Sequence, residues 1–404
     1  MQVAIVDPVF RAALGHFVWH VRLAEEMVRR GASVTIFGRR DCGDTQIEGV
    51  RTFPVFTPRP GTQADADKVL GPYNRYVQRN RTVEQELRAL PPAAVEGIDL
   101  LLVMTPREDE LTGIAAWIHG LHAHRPRFVL VELMHANGMS FTPQGVRIGN
   151  SLKALLFRRG VDAIRACGAR AVFGAMGEEH VQSYRALSGI KIVSLPVVLG
   201  FPEAMAETPV RPGKVQLFIG GARGEKGIRL LPAAVELLAT EMPDSTFAVD
   251  ISDPGGADLA PALAELGSLA DRLPNFELHL GPMDPRDYGR RLAEGEVIVL
   301  PYDRSSYLNR TSGVLWEAVY LGRSVIVPED CWIEREAGRL GASYATTAAR
   351  GTASYAAELL AILRSGRLDP KVAMAAGERF RAANGLTVAA DYLDRVVGIP
   401  LAGG

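Results

Sequence analysis

The chain has 404 residues, 47% of them hydrophobic and 23% charged, with a formal net charge of -1 and three cysteines. That length exceeds one ordinary core and points to two domains of roughly 200 residues each. The charge balance excludes a global field that would draw the chain to nucleic acid. Cys42, Cys167 and Cys331 are too far apart for a disulfide framework or a zinc pattern. No apolar run approaches the roughly 20 residues of a membrane span. MQVAIVDP runs straight into an apolar strand without a charged leader, so no signal peptide is expected. The expected location is cytoplasmic, with peripheral contact at the inner face of a membrane left open.

The first forty residues predict a strand, a loop, a helix and a strand. VAIVD is a continuous apolar run, as in a strand buried on both faces. A loop with Gly15 and His16 follows, and Val18 to Arg30 carries apolar residues at helical spacing until Gly31. SVTIF is the next strand, so the unit is βαβ and the sheet parallel. DLLLVM (99–104), RFVLVELM (127–134), ARAVFGA (169–175) and IKIVSLPVV (190–198) read as further strands, with a helix at 110–121. Residues 200–213 are rich in Pro, Ala and Glu without an apolar period, as expected of a linker. A second alternating set follows: strands KVQLFIGG (214–221), TFAVDIS (246–252), FELHLG (276–281), EVIVLPY (296–302) and SVIVP (324–328), and a helix from Gly227 to Thr240. The expected architecture is α/β: residues 1–200 as one doubly wound, Rossmann-like domain, 201–213 as linker, and 214–386 as a second such domain. A terminal helix from about residue 387 is expected to cross back to the first. Ligands of such sheets bind beyond the C-terminal strand ends, so the strand-to-helix loops are where chemistry belongs.

Three stretches of the second half stand out. In GGARGEKG (220–227) the glycines let backbone approach a ligand, and Arg223 and Lys226 add two cations beside an expected helix N-terminus. A phosphate or diphosphate fits that loop; a glycine-rich turn with solvated cations fits it equally. In TSGVLWEAVYLG (311–322), Thr311 or Ser312 is a good N-cap, Gly313 leaves the helix start open, and Gly322 ends it. Glu317 sits one turn beyond Gly313 in an otherwise apolar run. A charge there is costly unless paired. A ribose diol is one candidate partner; Arg310 or Arg323, brought close by the fold, is the other. In LGPMDPRDY (280–288) a strand ends at Gly281 and a helix begins near Asp284 or Pro285. Backbone at Pro282 and Met283 is placed to read a base edge, or simply to make a capped turn.

IGGAR, EKG, NFELHLGPM, VIVLPYD and SGVLWEAVYLGRSVIVP, in that order, resemble the C-terminal half of a GT-B glycosyltransferase of retaining family 4, over about residues 214–330. The resemblance is looser over the N-terminal half. It implies a GT-B fold, with two Rossmann-like domains whose parallel sheets face each other across a cleft. It implies that Arg223 and Lys226 hold the donor diphosphate, that Ser312 and Gly313 offer amides to it, that Glu317 binds the ribose and that Met283 lies at the base. The family often has a glutamate eight positions before the ribose-binding one; here that position is Asn309, which puts the sugar contact in question. Arg223 stands closer to Lys226 than the family spacing, which leaves Arg229 as an alternative cation. ALGHF (13–17) resembles the family's glycine loop, with Gly15 toward the phosphates and His16 toward substrate. His135, at the end of FVLVELMH, stands where members carry a histidine near the donor sugar; a hydrogen-bonded loop histidine is the plainer alternative. Glu178, in GEEH, reads as a capping residue.

The function implied is transfer of a sugar from a nucleotide-diphosphate sugar to an acceptor hydroxyl, with retention of configuration and without a metal or other cofactor. The acceptor is a carbohydrate, a lipid-linked or a small molecule. Basic amphipathic segments at 73–90 and 151–168 suit either a solvated helix face or an anionic lipid surface. The alternatives are a non-catalytic GT-B partner protein and a GT-B nucleotide-sugar epimerase.

Overall fold

The computed structural model describes residues 1–10, 17–42, 46–58, 71–134, 138–142 and 145–397. These divide into two compact units: Met1–Val198 with Leu386–Gly404, and Leu199–Gly385.

The first unit is built on seven strands: β1 (Gln2–Val6), β2 (Ser33–Arg39), β3 (Val50–Phe56), β4 (Leu100–Val103), β5 (Phe128–Glu132), β8 (Arg170–Ala175) and β9 (Ile192–Ser194). They lie in the order β3-β2-β1-β4-β5-β8-β9, parallel throughout. A separate antiparallel pair is formed by β6 (Met139–Thr142) and β7 (Gly145–Ile148). The central strands are continuous apolar runs because helices cover both faces of the sheet; every residue of β4 is buried. β3 escapes the sequence reading for a physical reason. It is a half-exposed edge strand carrying Pro54, which cannot donate to a ladder. The expected 190–198 strand shortens to Ile192–Ser194, ahead of Pro196.

The terminal helix Leu386–Val397 belongs to this unit. Arg30, just beyond the helix Phe17–Arg29, holds it there. Its guanidinium donates to Asp391 at 2.7 Å and Asp394 at 3.3 Å, while Glu26 accepts from the same side chain at 2.7 Å.

The second unit carries six parallel strands: β10 (Lys214–Gly221), β11 (Thr246–Asp253), β12 (Phe276–Leu280), β13 (Val297–Val299), β14 (Ser324–Pro328) and β15 (Tyr344–Thr347). Their order is β12-β11-β10-β13-β14-β15. Strand order reverses between β10 and β13, so the loops leaving these two neighbours open a crevice at the C-terminal edge. Among the described residues no helix is long and apolar enough to cross a membrane. The two basic segments form the helices Pro72–Arg88 and Ser151–Arg165. Part of their charge is structural: Arg79 bonds Glu110 at 2.9 Å, and Arg158 bonds the Leu187 carbonyl.

Candidate functional site

β10 ends in two glycines, and the chain then makes a tight 3-10 turn at Gly224–Lys226. Gly227 follows with φ 76°, and a Cβ there would stand 1.7 Å from the Pro301 carbonyl oxygen. Only glycine combines that left-handed backbone with so close an approach. The loop after β13 is tied to the same turn by the Asp303 amide, which donates to the Glu225 carbonyl at 2.8 Å. The expected helix at Gly227 is displaced. A second 3-10 turn spans Ile228–Leu230 and the regular helix runs Leu231–Glu241, with Pro232 in its first turn. The left-handed glycine breaks the run, so this helix does not aim its amides directly into the loop.

Lys226 is set against aromatic walls. Its ammonium lies 5.9 Å from the Phe218 ring centre and 5.8 Å from that of Tyr302. A Cβ on Gly220 would come within 3.4 Å of it. Among the described residues no carboxylate forms an ion pair with it. Burial, with the nearby charges of Arg223 and Arg310, lowers its pKa to about 8, against the weaker pull of Glu225 and Glu317. Arg223 is exposed at the start of the turn. Arg229 forms a surface pair with Asp258, and its guanidinium lies 3.6 Å from where a Cβ on Gly224 would stand.

From the β13 side, Ser312 caps the helix Gly313–Tyr320, its hydroxyl accepting from the Leu315 amide at 3.3 Å. The first amides of that helix, at Gly313 and Val314, lie outside the intrahelical ladder, on half-exposed residues. Tyr302 lies buried beside them, its hydroxyl bonded to Ser312 and its ring 4.7 Å from that of Tyr307.

Glu317 is buried, and its partners within the chain are not the expected arginines. Neither arginine reaches it: Arg310 pairs with Glu225 at 3.2 Å, and Arg323 donates to the carbonyls of Ala293 and Thr208. Instead the Tyr288 hydroxyl donates to Oε2 at 2.6 Å and the Gly200 amide to Oε1 at 3.3 Å. Burial raises the Glu317 pKa, while these two donors and the charge of Lys226 pull it back. A carboxylate has about four acceptor positions, so two remain for a ligand.

Met283 is half-buried in the loop after β12, beside Asp284, which caps the helix Pro285–Glu294 through the amides of Arg286 and Asp287. That helix delivers Tyr288 to Glu317. Asn309 is half-buried in the loop after β13. The second unit thus brings Arg223, Lys226, Ser312, Gly313 and Glu317 to one sheet edge. Gly15, His16 and His135 lie outside the described residues. Glu178 caps nothing with its side chain; it accepts from Gln182 one turn on. Among the described residues no group of three or more His, Cys, Asp or Glu side chains is placed to share a metal ion.

Sequence reading missed Tyr288, Tyr302 and Phe218. Tyr288 had a signal: it shares a helix face with Leu292 four residues on, which predicts burial. The Gly200 contact, 117 positions from Glu317, had none. The first unit also holds an unforeseen buried set at its C-terminal sheet edge. His20 Nδ1 meets Asp7 Oδ2 at 2.8 Å, and Thr105 donates to Asp7 Oδ1 at 3.0 Å. Burial works against charge on His20, but the bond and charge of Asp7 outweigh it and raise its pKa; burial raises that of nearby Glu132.

No family model matches the chain, and no curated protein matches it. Solved structures do. Sucrose-phosphate synthase from Thermosynechococcus elongatus is 16% identical, with 98% of each chain covered and a TM-score of 0.61. The trehalose-phosphate synthase of Burkholderia xenovorans, solved with glucose-6-phosphate, is 13% identical over 98% of this chain and 100% of its own, at 0.62. HepE of Anabaena, solved with UDP and glucose, is 13% identical over 99% of this chain and 100% of its own, at 0.57. All are GT-B glycosyltransferases, and this chain has their fold: two Rossmann-like units with parallel sheets.

Proposed function

We propose that the chain is a retaining glycosyltransferase that moves a sugar from a nucleotide-diphosphate sugar to an acceptor hydroxyl, with no metal taking part. The observation that carries this reading is Lys226. An ammonium with no carboxylate partner among the described residues, set beside two aromatic rings at the strand-order switch, is a costly arrangement that an anionic ligand relieves. A diphosphate between Lys226, Arg223 and the open amides of Gly313 and Val314 meets three sources of positive potential. Glu317, at the other side of the same loops, accepts the ribose hydroxyls, and Met283 lies along the base.

The chemistry asks for stabilisation of charge on the departing nucleoside diphosphate as the glycosidic bond breaks. Lys226 stands against Phe218 and Tyr302 before that charge develops, which is the arrangement that lowers a barrier most, and Arg223 adds a second cation from the start of the turn. The rings of Phe218 and Tyr302 beside Lys226 reduce its contact with water, which strengthens the interaction. The acceptor hydroxyl attacks on the face the donor leaves, and a phosphate oxygen takes its proton. The neighbours solved with UDP and glucose, and with glucose-6-phosphate, support a nucleotide-sugar donor and a carbohydrate acceptor. Exposed Tyr73 and Leu155 on the two basic helices support a peripheral membrane contact as part of the same reading.

Thermal unfolding in the presence of UDP, GDP and ADP tests the donor site and identifies the base. A ligand at one hundred times its Kd adds about 2.7 kcal/mol, a readily measured shift. Stabilisation by none of the three favours the non-catalytic alternative and removes this one.

A further inference from the structure

We infer that Tyr288 is a positioning residue for the donor: its hydroxyl fixes one oxygen of the Glu317 carboxylate, so that the lone pairs left over point at the two ribose hydroxyls. The inference rests on the reading of Glu317 as the ribose acceptor. It starts from a short bond, 2.6 Å, from Tyr288 to Oε2, with the Gly200 amide on Oε1 at 3.3 Å. A free carboxylate on a flexible stem samples several rotamers; one held at both oxygens by groups from two other segments has one orientation. Tyr288 is itself held. Its ring packs on Phe201, with centroids 6.4 Å apart, and its helix is anchored by the Asp284 cap.

The bond also bears on charge. Burial, at 5% exposure, shifts Glu317 toward its neutral acid, which cannot accept two hydroxyls as a carboxylate does. The groups that oppose this are the Tyr288 hydroxyl, the Gly200 amide and the Lys226 ammonium; the Tyr302 phenol also senses its charge. Tyr288 stays a donor throughout, since burial and the Glu317 charge push its own pKa far up. Without Tyr288, Glu317 takes a proton at higher pH and the ribose contact fails from the acid side.

The test uses the full chain and whichever of UDP, GDP and ADP binds it, with the matching 2′-deoxynucleoside diphosphate, by calorimetry from pH 6 to 9. In wild type the ribo form is preferred. In Tyr288→Phe, affinity for the ribo form falls about tenfold at the acid end of the range, the deficit shrinks toward the alkaline end, and the preference over the deoxy form is lost at the acid end. A hydrogen bond to a charged group is worth enough for a change of that size. Glu317→Gln loses the preference at every pH. If Glu317→Gln weakens binding while Tyr288→Phe matches wild type at all pH values, the positioning role is wrong and the ribose reading stands. If Glu317→Gln also keeps the ribo preference, the ribose reading falls and the inference with it. Phenylalanine keeps the contact with Phe201; should the variant nonetheless melt early, the ribo-to-deoxy ratio, a property of the folded fraction, still decides.

Discussion

Replacing Lys226 by methionine should make the protein more stable and nearly inactive at once. The stability side follows from the ammonium's surroundings. Its pKa falls from 10.5 to about 8 on folding, which at about 1.36 kcal/mol per unit is a cost of about 3 kcal/mol. Water reaching the half-buried side chain reduces this to ~1–3 kcal/mol. The folded chain binds this proton more weakly than the unfolded chain. The cost is therefore complete below pH 8, fades between pH 8 and 10.5, and is absent above. Methionine keeps the stem and its contact with Phe218 and Tyr302 and drops the charge. At pH 7 the melting temperature should rise by about 2–4 °C per kcal/mol recovered, and the gain should vanish as pH approaches 10.5. Donor turnover should fall by about 10²–10³, the usual loss when one charge-stabilising group leaves a transition state. Differential scanning fluorimetry across pH and release of nucleoside diphosphate from a nucleotide sugar measure the two effects on one sample. A variant that melts below wild type at pH 7, or that retains turnover within about tenfold, would refute the account of Lys226 as an unrelieved charge awaiting a diphosphate.

Three further outcomes are expected. Affinity for a nucleoside diphosphate should weaken as pH rises above 8, by up to about tenfold per unit, because free Lys226 must take up one proton to bind; a flat profile from pH 7.5 to 9.5 in calorimetry contradicts this. Gly227→Ala forces a side chain into the Pro301 carbonyl from a left-handed backbone, and should cost about 2–4 kcal/mol in urea unfolding and abolish nucleotide binding. Arg30→Ala removes the bonds to Asp391 and Asp394; it should lower stability by about 1–3 kcal/mol and speed limited proteolysis ahead of residue 386, and unchanged cleavage there contradicts the docking role.

The two sheets were legible because their central strands are apolar on both faces, and a run such as DLLLVM has few other uses. Edge strands were not: β3 mixes Arg51, Thr52 and Pro54 with its apolar residues, since one of its sides meets solvent. The site was half legible. Lys226 and Ser312 sit where glycines and a cap announce a strand-to-helix loop, a local signal. The helix after Lys226 starts at Leu231, four residues beyond Gly227, because the left-handed backbone of Gly227 serves a close pass over Pro301 rather than opening a helix. Glu317 was recognisable as a misfit charge, but its partners are a tyrosine from the next helix and an amide more than a hundred positions away. Such contacts are set by tertiary packing, which one-dimensional periodicity does not encode.

The aromatic enclosure of Lys226 also makes it a chemical reporter. With a pKa of about 8, about a tenth of its amines are unprotonated at pH 7, about 300 times the fraction for an ordinary lysine. Mild acylating reagents at neutral pH therefore select this amine over solvent-facing lysines, within the limits of access past the rings. A diphosphate seated on it restores the proton and closes the approach, so protection from labelling reads out occupancy directly. If Lys226 holds a phosphate as proposed, the same surroundings let a mass spectrometer follow that event without substrate turnover.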